Sequence, residues 1–340
     1  MKQTDFAKAL TRYLSEFLPG QRNVSTNTIK SYRDTFKQLL LYMDNKCKIK
    51  PEYLTFNRIN SETIRNFLFW LENTRSVNIN TRNQRLAAIH SFYRYVQSEC
   101  PDILFECQKI LGIPFKRRQQ ATIEHITQEN LQLLLEQPNI TTKRGRRDLV
   151  LMVTLYDSGA RIQELIDLKV CDVRLSKPAT VTLTGKGNKR RTIPIMNKTK
   201  LLLEKYMNEQ HLLENGKQNH PVFFNSRNHS FTRPGVTYIL EKHFASAKKC
   251  NAGVVFPKHI HPHMLRHTKA FHLLDAGVNL IYIRDFLGHV NVTTTEVYLR
   301  ADTEMKRKAL ESMYIDVVSQ DIPVWNEDTD LLSWLQDFCK

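Results

Sequence analysis

The sequence predicts a mainly α-helical protein with one small β-sheet, divided into an N-terminal helical domain and a mixed α+β domain. Three observations predict this class. Apolar residues recur at spacings of three and four through residues 1–111, without the alternation that is typical of strands. A segment with Gly, Pro and a run of bases follows at 112–127 and predicts a linker between domains. After this linker, a single pair of short alternating segments lies among further helical patterns, and 340 residues are enough for two domains.

Residues 1–111 predict a bundle of four or five helices. The four segments with clear helical spacing are 4–17, 25–45, 61–74 and 81–98. Residues that favour helix N-termini stand at the start of the last three segments. These predicted caps are Thr26 or Asn27, Ser61, and Asn80 or Thr81.

Residues 128–317 predict the mixed domain. Alternating β-branched residues at 179–185 and 190–195, joined by a Gly-containing turn at 186–188, predict a hairpin. Helical patterns fill most of the remainder. Their ranges are 128–136, 144–157, 197–210, 233–249, 262–276, 279–287, 293–298 and 303–315.

The last segment, 318–340, differs from the rest in charge. It contains five acids and one base, a net charge of −4, whereas the other 317 residues carry 49 bases and 29 acids, a net charge of +20. Apolar side chains stand among the acids and predict a short amphipathic helix: Leu331, Leu332, Trp334, Leu335 and Phe338. Such a short helix needs a packing partner. A neighbouring protomer and the chain's own domain are equally consistent with the pattern.

The overall charge favours a polyanionic partner. Fifty Lys and Arg residues against 34 Asp and Glu residues give a net charge of +16. Nucleic acid is the polyanion that such proteins usually bind, and a basic surface that serves only solubility is the alternative. No apolar run reaches the roughly 18 residues that span a bilayer, and the N-terminus lacks the pattern of a signal peptide. We therefore expect a cytoplasmic, nucleoid-associated protein with no membrane partner.

Three short polar segments of the second domain hold residues suited to chemistry on a phosphate ester. They are SGARIQEL (158–165), TGKGNKRR (184–191), and a longer one that runs from HPHMLRH (261–267) through LGH to Tyr298. His263 and Arg266 are three residues apart and therefore share a helix face. Arginine can grip phosphate oxygens with two N–H groups, imidazole transfers protons near pH 7, and a phenol can act as a nucleophile.

In order and spacing, these segments resemble the tyrosine recombinase family, which includes phage integrases and Xer-type site-specific recombinases. The resemblance covers about residues 5–317. The matching positions are Arg161, Lys186, His263, Arg266, His289 and Tyr298. The family's fold implies an N-terminal SAM-like core-binding domain and a catalytic domain that together form a C-shaped clamp on DNA.

The resemblance implies a catalytic role for each of these residues. Arg161 and Arg266 would hold the non-bridging oxygens of the scissile phosphate, where they stabilise the added charge of the transition state. His289 would donate to the same phosphate. Tyr298 would attack phosphorus and form a 3′-phosphotyrosyl linkage, while His263 would assist with the proton of the tyrosine.

Lys186 would protonate the 5′-oxygen leaving group. The other bases of the same turn and strand, Lys189, Arg190 and Arg191, compete for that role and are otherwise expected to contact phosphates. Glu164 follows Arg161 by three residues and could orient an Arg or a His. His267 is more typical of a buried supporting His than of a residue that takes part in the chemistry.

Exchange of one phosphoester for another conserves bond energy, so the resemblance implies neither a metal nor ATP as cofactor. The sequence has no P-loop motif, and its six Cys residues form no C-x-x-C pair. Alternating His residues within 259–263 could form a metal site, but no carboxylate or Cys pattern accompanies them. Tyr282 and Tyr314 are the nearest rivals of Tyr298 as nucleophile, and both are predicted as core positions on helices.

Further basic residues are candidate DNA contacts. Segment 231–244 resembles the family's major-groove helix, with Thr232 and Arg233 near its start and Lys242 on a later turn. The other candidates are Arg117 and Arg118 in the linker, Lys189, Arg190 and Arg191 in the hairpin, and Lys30, Arg33, Arg82 and Arg85 in the N-terminal helices. Each one is as consistent with a solvated charged face as with DNA contact. Together they predict binding that weakens steeply with salt.

The implied function is a recombinase that cleaves and rejoins duplex DNA at specific sites through a Holliday junction, as a homotetramer on two DNA sites. Integrase or transposase of a mobile element is favoured over Xer-type resolution of chromosome or plasmid dimers, because the chain carries the extra acidic tail. Accessory DNA-bending proteins or a partner recombinase could take part. The alternatives are a type IB topoisomerase-like activity and a non-catalytic DNA-binding protein, and the intact set of six residues argues against the second.

Overall fold

The computed structural model describes residues 3–117, 124–289 and Thr295. The chain divides into two compact units, with the boundary between residues 121 and 122. Several predictions concern residues outside the described part: Arg118, Tyr298, Tyr314, the helices at 293–298 and 303–315, and the tail at 318–340. Within the described ranges, no helix combines the length and apolar character that a membrane span requires.

All the regular secondary structure in the described residues of the first unit is helical. A π-helical stretch, Tyr13–Gln21, continues directly from the first helix and contains Pro19. The helices are α1 (Asp5–Arg12), α2 (Thr26–Cys47), α3 (Ser61–Asn73), α4 (Ile79–Glu99) and α5 (Leu104–Leu111). This agrees with the predicted bundle, except that the predicted first helix changes to π geometry after Arg12.

Aromatic packing around Phe92 of α4 holds this unit together. The Phe92 ring is fully buried, and its centroid lies 5.6 Å from Phe6, 5.2 Å from Tyr13 and 5.0 Å from Phe36. All three pairs are edge-on, the arrangement that aromatic quadrupoles favour. The core therefore joins α1, the π-helical stretch and α2 to α4.

The predicted helix caps of this unit are wrong by one to three residues. The observed caps of α2, α3 and α4 are Ser25, Asn60 and Asn78. In each, a side-chain oxygen accepts a hydrogen bond from the backbone N–H three residues later. In every case a Ser or Asn one or two residues upstream of the first predicted cap supplies the oxygen, and α4 therefore starts two residues before its apolar pattern.

Within its described residues, the second unit contains the helices predicted between 128 and 287 and the hairpin, each within one residue of its predicted bounds. A five-residue helix and a two-residue strand were not predicted, because both are too short to show a period. The elements are α6 (Gln128–Leu135), α7 (Lys143–Asp157), α8 (Ile162–Ile166), β1 (Val173–Arg174), β2 (Thr180–Thr184), β3 (Arg190–Pro194), α9 (Asn197–Glu209), α10 (Arg233–Cys250), α11 (Pro262–Asp275) and α12 (Leu280–Leu287).

The three strands form one antiparallel sheet in the order β1–β2–β3. Val181 of β2 pairs with Ile193 of β3, and Leu183 pairs with Arg191. Val181, Leu183 and Ile193 are buried in the main core of this unit, as the alternating pattern requires. Arg191 therefore lies on the face of the sheet that packs against the core. A turn at Gly185–Lys189 connects β2 to β3.

Two apolar clusters fix the helices that carry the predicted site. Leu155 of α7, Leu165 of α8 and Leu265 of α11 lie in the main cluster. A smaller cluster packs Phe271 of α11 against Leu287 of α12. The mainly helical class with one small sheet is confirmed, and the core holds α8, α11 and α12 in fixed relation to one another.

Candidate active site

Three guanidinium groups converge on the C-terminal end of α12, immediately before His289. Each donates to one of three successive carbonyl oxygens. The pairs are Arg191 Nε with Phe286 at 3.1 Å, Arg266 Nη2 with Leu287, and Arg161 Nη2 with Gly288 at 3.4 Å. The last carbonyls of a helix lack intrahelical partners and carry partial negative charge. The arginines therefore cap α12. Through them, α8, β3 and α11, which are far apart in the sequence, all contact the end of this helix.

Arg266 occupies the interior of this site. Its residue surface is only 2% exposed, and Nη1 donates to the Gly159 carbonyl at 2.7 Å. Gly159 has a φ of +55°, and a Cβ at this position would lie 2.9 Å from the Phe286 ring. Glycine therefore lets the turn between α7 and α8 approach α12 closely and present its carbonyl to Arg266.

Arg161 stands at the start of α8, where Glu164 of the same helix fixes it. The Arg161 backbone N–H donates to one carboxylate oxygen of Glu164 at 2.8 Å, and its Nη1 donates to the other at 2.8 Å. The Arg161 side chain remains 35% exposed. Glu164 thus orients the arginine, whose Nη2 reaches the Gly288 carbonyl while part of its side chain stays open to solvent.

The Glu164 carboxylate is shared with a second arginine. Nη1 and Nη2 of Arg191 donate to its two oxygens at 2.8 and 2.7 Å, and the Glu164 side chain is 3% exposed. Burial raises the pKa of Glu164, but the hydrogen bonds from Arg191 and Arg161 outweigh it and lower the pKa to about 2. Glu164 is therefore ionised at neutral pH. Its pairing with Arg191 was not foreseen from the sequence.

The turn of the hairpin places the backbone at Lys186 next to this cluster, whereas the Lys186 side chain lies outside the described part of the structure. The Gly185 N–H donates to the Lys189 carbonyl at 2.8 Å, and Gly187 has a φ of +73°. A Cβ at Gly185 would lie 3.0 Å from a Glu164 oxygen. The backbone on the N-terminal side of Lys186 therefore packs directly against the carboxylate that orients Arg161.

Three histidines border the guanidinium groups. His263 is exposed in the first turn of α11, and His267 is half-buried one turn later, with 6.3 Å between the ring centroids. His289 follows α12 and is half-buried. Its Nδ1 lies 2.9 Å from Thr295 Oγ1, and its backbone N–H donates to the Arg284 carbonyl at 3.0 Å.

Burial and positive neighbours keep these imidazoles neutral near pH 7. Burial, followed by Arg266 and Arg161, lowers the pKa of His289 to about 4. Burial and then His263 lower the pKa of His267 to about 4. The pKa of His263 itself is lowered by partial removal from water and by Arg266. A neutral imidazole can donate one N–H and accept one proton, as the predicted roles of His289 and His263 require.

Some of these groups line an open cleft of about 400 Å³. Its lining residues are Arg161, Gly185, Lys189, Arg190, Arg191, Gly288 and His289. Cationic side chains and two glycines with no side chain dominate the lining, so an oxyanion can approach the backbone closely. The cleft has the charge and the donors to bind a phosphodiester.

The other predicted contacts of this unit lie at its surface. Lys189 is exposed, and Arg190 is exposed with Nη2 2.9 Å from an Asp172 oxygen. At the start of α10, Thr232 accepts from the Gly235 N–H, Arg233 is exposed, and Lys242 is exposed on a later turn. Arg233 Nε donates to Gln163 Oε1 on α8 at 2.8 Å, which places the start of α10 beside the helix that begins at Arg161.

In the N-terminal unit, Lys30, Arg33 and Arg117 are exposed, whereas two other candidates are not. Arg82 is 7% exposed, and its Nη1 donates to the Pro114 carbonyl at 3.2 Å and to Asn83. Arg85 Nη1 donates to the Ser31 carbonyl at 3.1 Å and to Thr35. Arg82 therefore ties α4 to the segment that follows α5, and Arg85 ties α4 to α2. We leave Arg82 out of the proposed DNA surface.

Tyr282, a rival nucleophile, was predicted as a core residue, and this prediction is wrong. Its surface is 71% exposed, because Ile283 and Leu287 occupy the buried face of α12. Tyr298 and Tyr314 lie outside the described residues. In the part of the chain that the structure describes, no group of three or more His, Cys, Asp and Glu side chains is placed to hold a metal ion.

Two family profiles match the chain. The profile described as the phage integrase family matches residues 124–305, and that of the phage integrase N-terminal SAM-like domain matches residues 10–99. The chain therefore belongs to the phage integrase family of tyrosine recombinases. The predicted family is confirmed, and the protein is a tyrosine site-specific recombinase with an N-terminal SAM-like domain.

Individual relatives agree with this assignment. The "Putative integrase/recombinase y4rC" of Sinorhizobium fredii is 35% identical over 309 residues, which cover 91% of this chain and 92% of that protein. The tyrosine recombinase XerD of Oceanobacillus iheyensis is 31% identical, with 88% of this chain and 94% of that protein covered.

Two solved structures share the fold at low sequence identity. The XerH site-specific recombinase bound to palindromic difH substrate has a TM-score of 0.66 and 21% identity, covering 88% of this chain and 83% of that one. The Tn1549 transposon integrase in complex with transposon right end DNA has a TM-score of 0.67 and 15% identity, covering 89% and 98%.

Proposed function

We propose that this recombinase cleaves and rejoins DNA through a 3′-phosphotyrosyl linkage on Tyr298 and a Holliday junction. The observation that carries the proposal is the convergence of Arg161 and Arg266 on successive carbonyls directly before His289. Arg161 and His289 line one cationic cleft, and buried Arg266 donates to the Leu287 carbonyl, next to the lining residue Gly288. The identity of the nucleophile comes from the family motif, which places Tyr298 nine residues after His289.

In the proposed reaction, Arg161 and Arg266 bind the non-bridging oxygens and stabilise the charge that develops at phosphorus. A bond forms between the Tyr298 oxygen and phosphorus, and the bond from phosphorus to the 5′-oxygen breaks. His263, which its lowered pKa keeps neutral near pH 7, accepts the phenol proton. Lys186 donates a proton to the 5′-oxygen. Attack by the 5′-hydroxyl of another strand reverses the step, so no external energy source is needed.

Strand exchange between two duplexes requires four cleavages, and we propose a homotetramer that supplies four nucleophiles. The DNA-contacting surface would include Lys189, Arg190, the start of α10 at Thr232 and Arg233, and Lys242, which all lie at the surface of the catalytic unit. Exposed Lys30, Arg33 and Arg117 would contribute from the N-terminal unit. Binding would place the protein on the nucleoid.

For the biological role, we propose integration or transposition of a mobile element. Similarity to a protein named integrase/recombinase over 91% of the chain supports this role. Xer-type resolution of dimers is the second candidate, supported by 31% identity to a protein named XerD. Accessory proteins could set the direction of exchange in either case.

The test is strand exchange between two labelled duplexes that carry DNA flanking the gene. Hybrid duplexes with exchanged ends are expected, from a site at the boundary of the element that holds the gene. A site shared with other replicons of the cell, far from the gene, would favour dimer resolution. Relaxation of a supercoiled plasmid without exchanged ends would indicate a type IB topoisomerase-like enzyme instead.

A further inference from the structure

We propose that Arg191 is a positioning residue of the recombinase site, which acts through Glu164 and the end of α12, and is not a DNA phosphate contact. The inference deepens the proposed function and rests on it. Arg191 lies on β3 opposite Leu183, and its side chain is 14% exposed. This differs from the interpretation of the sequence, in which Arg191 was one of three bases expected to contact DNA phosphates.

The guanidinium of Arg191 has its phosphate-gripping edges engaged. Nη1 and Nη2 hold the two oxygens of Glu164 at 2.8 and 2.7 Å. Nε, which a side-on bidentate contact would require, donates to the Phe286 carbonyl at 3.1 Å. Two of these bonds go to a buried carboxylate, which compensates the charge of Arg191, whereas the bonds of Arg266 described above go to neutral carbonyls. Arg191 is therefore less suited than Arg266 to grip a DNA phosphate.

Through these bonds, Arg191 links the sheet to two groups that meet the phosphate. Glu164 also accepts the backbone N–H and Nη1 of Arg161. Phe286 lies in the last turn of α12, three residues before His289. One side chain therefore sets the position of Arg161 on one side and of the turn that carries His289 on the other.

The stem of Arg191 also packs against the backbone of this turn. Gly288 has a φ of +64°, and a Cβ there would lie 2.9 Å from Arg191 Cδ and 3.1 Å from its Nη1. Glycine at this position thus serves two purposes, since it permits the left-handed turn and leaves room for Arg191. This contact is independent of the ion pair and places Arg191 against the same turn.

The pair of Arg191 and Glu164 also preserves the positive charge of Arg161. Glu164 is a buried anion beside Arg161, and alone it would neutralise the charge that Arg161 must offer to phosphate. Arg191 takes both carboxylate oxygens and thereby compensates this charge. Without Arg191, Glu164 would draw Arg161 toward itself and away from the cleft.

The first arm of the test measures salt-dependent binding to a 30-base-pair duplex of arbitrary sequence, which needs no cleavage. Arg191→Lys keeps the charge but loses the paired donors, and Arg191→Gln loses both. Arg174→Gln, on exposed β1, is the matched control for loss of one charge. We expect both Arg191 variants to keep the wild-type slope of log affinity against log salt, as Arg174→Gln does. A slope lowered by about one in Arg191→Gln alone would identify a phosphate contact and overturn the proposal.

The second arm measures the first-order rate of covalent adduct formation on a bound, nicked duplex. We expect Arg191→Lys and Arg191→Gln to be slower by about 100-fold, as displacement of positioned groups typically causes, while Arg174→Gln matches the wild type. A wild-type rate in folded Arg191→Lys would overturn the positioning role. Melting temperatures of all variants identify any that fail to fold.

The third arm tests the positioning role of Arg191 independently of the proposed recombinase function. The His289 imidazole is titrated by NMR in free wild type and in Arg191→Lys. Arg191 is one of the cations beside His289, so displacement of the turn should change its chemical shift and midpoint. An unchanged His289 signal would contradict the positioning role even if the wild type formed no adduct. A missing adduct in the wild type would count against the proposed function alone.

Discussion

Arg161 and Arg266 donate to the carbonyl oxygens of two adjacent residues, Gly288 and Leu287. These carbonyls end α12 and would otherwise lack partners. The two guanidinium groups that the family motif assigns to phosphate binding therefore also cap the helix that precedes His289. The relative positions of both arginines and His289 are consequently set by one short piece of backbone.

Arg266→Ala should impair catalysis more than DNA binding. Loss of its donors should cost on the order of 3 kcal/mol of transition-state stabilisation. Because the Gly159 and Leu287 carbonyls also lose a buried donor, unfolding should become easier by about 1–3 kcal/mol. Cleavage rates on bound DNA and denaturant unfolding measure the two effects. Lost binding together with normal cleavage by the remaining bound enzyme would contradict this role.

Gly288→Ala should destabilise the protein more than the same Gly-to-Ala change at another position with a positive φ. The left-handed φ costs any L-residue about 1–2 kcal/mol, and the new Cβ would also press on Arg191 at 2.9 Å. Gly277→Ala is the matched control, since Gly277 has a φ of +77° and open space around it. The free energy of unfolding should fall further in Gly288→Ala, and only this variant should cleave more slowly. Equal losses in both variants would show that contact with Arg191 is unimportant.

His289 of the free protein should titrate near pH 4 in a histidine NMR experiment. Burial and three arginines, Arg266, Arg161 and Arg191, favour its neutral form. Between pH 6.5, the ordinary midpoint, and pH 4, the unfolded chain binds the proton first, so this residue's contribution to folding stability falls as the pH falls through that range. His289→Gln should remove both the signal and this part of the pH dependence. A midpoint near 6.5 would indicate an imidazole that is neither buried nor close to Arg266.

Deletion of residues 318–340 should spare binding to one DNA site and impair pairing of two sites. The expectation rests on the sequence of the tail, with its net charge of −4 and the five apolar side chains of its predicted helix, because this segment lies outside the described residues. Mobility-shift assays on one duplex and on paired duplexes separate the two activities. Unchanged strand exchange by the shortened chain would mean that the tail has no role in assembly.

The sequence predicts the elements of the fold well where local pattern decides them. Alternation found β2 and β3, and helical spacing found α11 with His263 and Arg266 on one face. Caps are displaced because a Ser or Asn upstream, such as Asn78 of α4, supplies the capping oxygen before the apolar pattern begins. Local pattern is therefore sufficient for the elements and less accurate for their ends.

Contacts between distant segments were not predictable in the same way. Alternation places Arg191 on the face of Ile193 and Arg190 on the opposite face. The pairing of Arg191 with Glu164 joins a strand to a helix 27 residues earlier, however, and nothing in either segment alone indicates this partner. The burial of Arg82 depends on the carbonyl of Pro114, which only the folded chain brings near. Tyr282 lies on the outer side of a short, largely apolar helix, whose sequence does not reveal which face is buried.

The most direct test of the account is a covalent trap. Wild type, Tyr298→Phe and Tyr282→Phe are incubated, without added metal, with nicked duplexes that tile the DNA flanking the gene and with synthetic junctions. Denaturing gels then detect protein joined to DNA. Adducts in wild type and Tyr282→Phe, with none in Tyr298→Phe despite normal binding, are the predicted result. An adduct that persists in Tyr298→Phe, or none in the wild type on any duplex or junction despite tight binding, would contradict it.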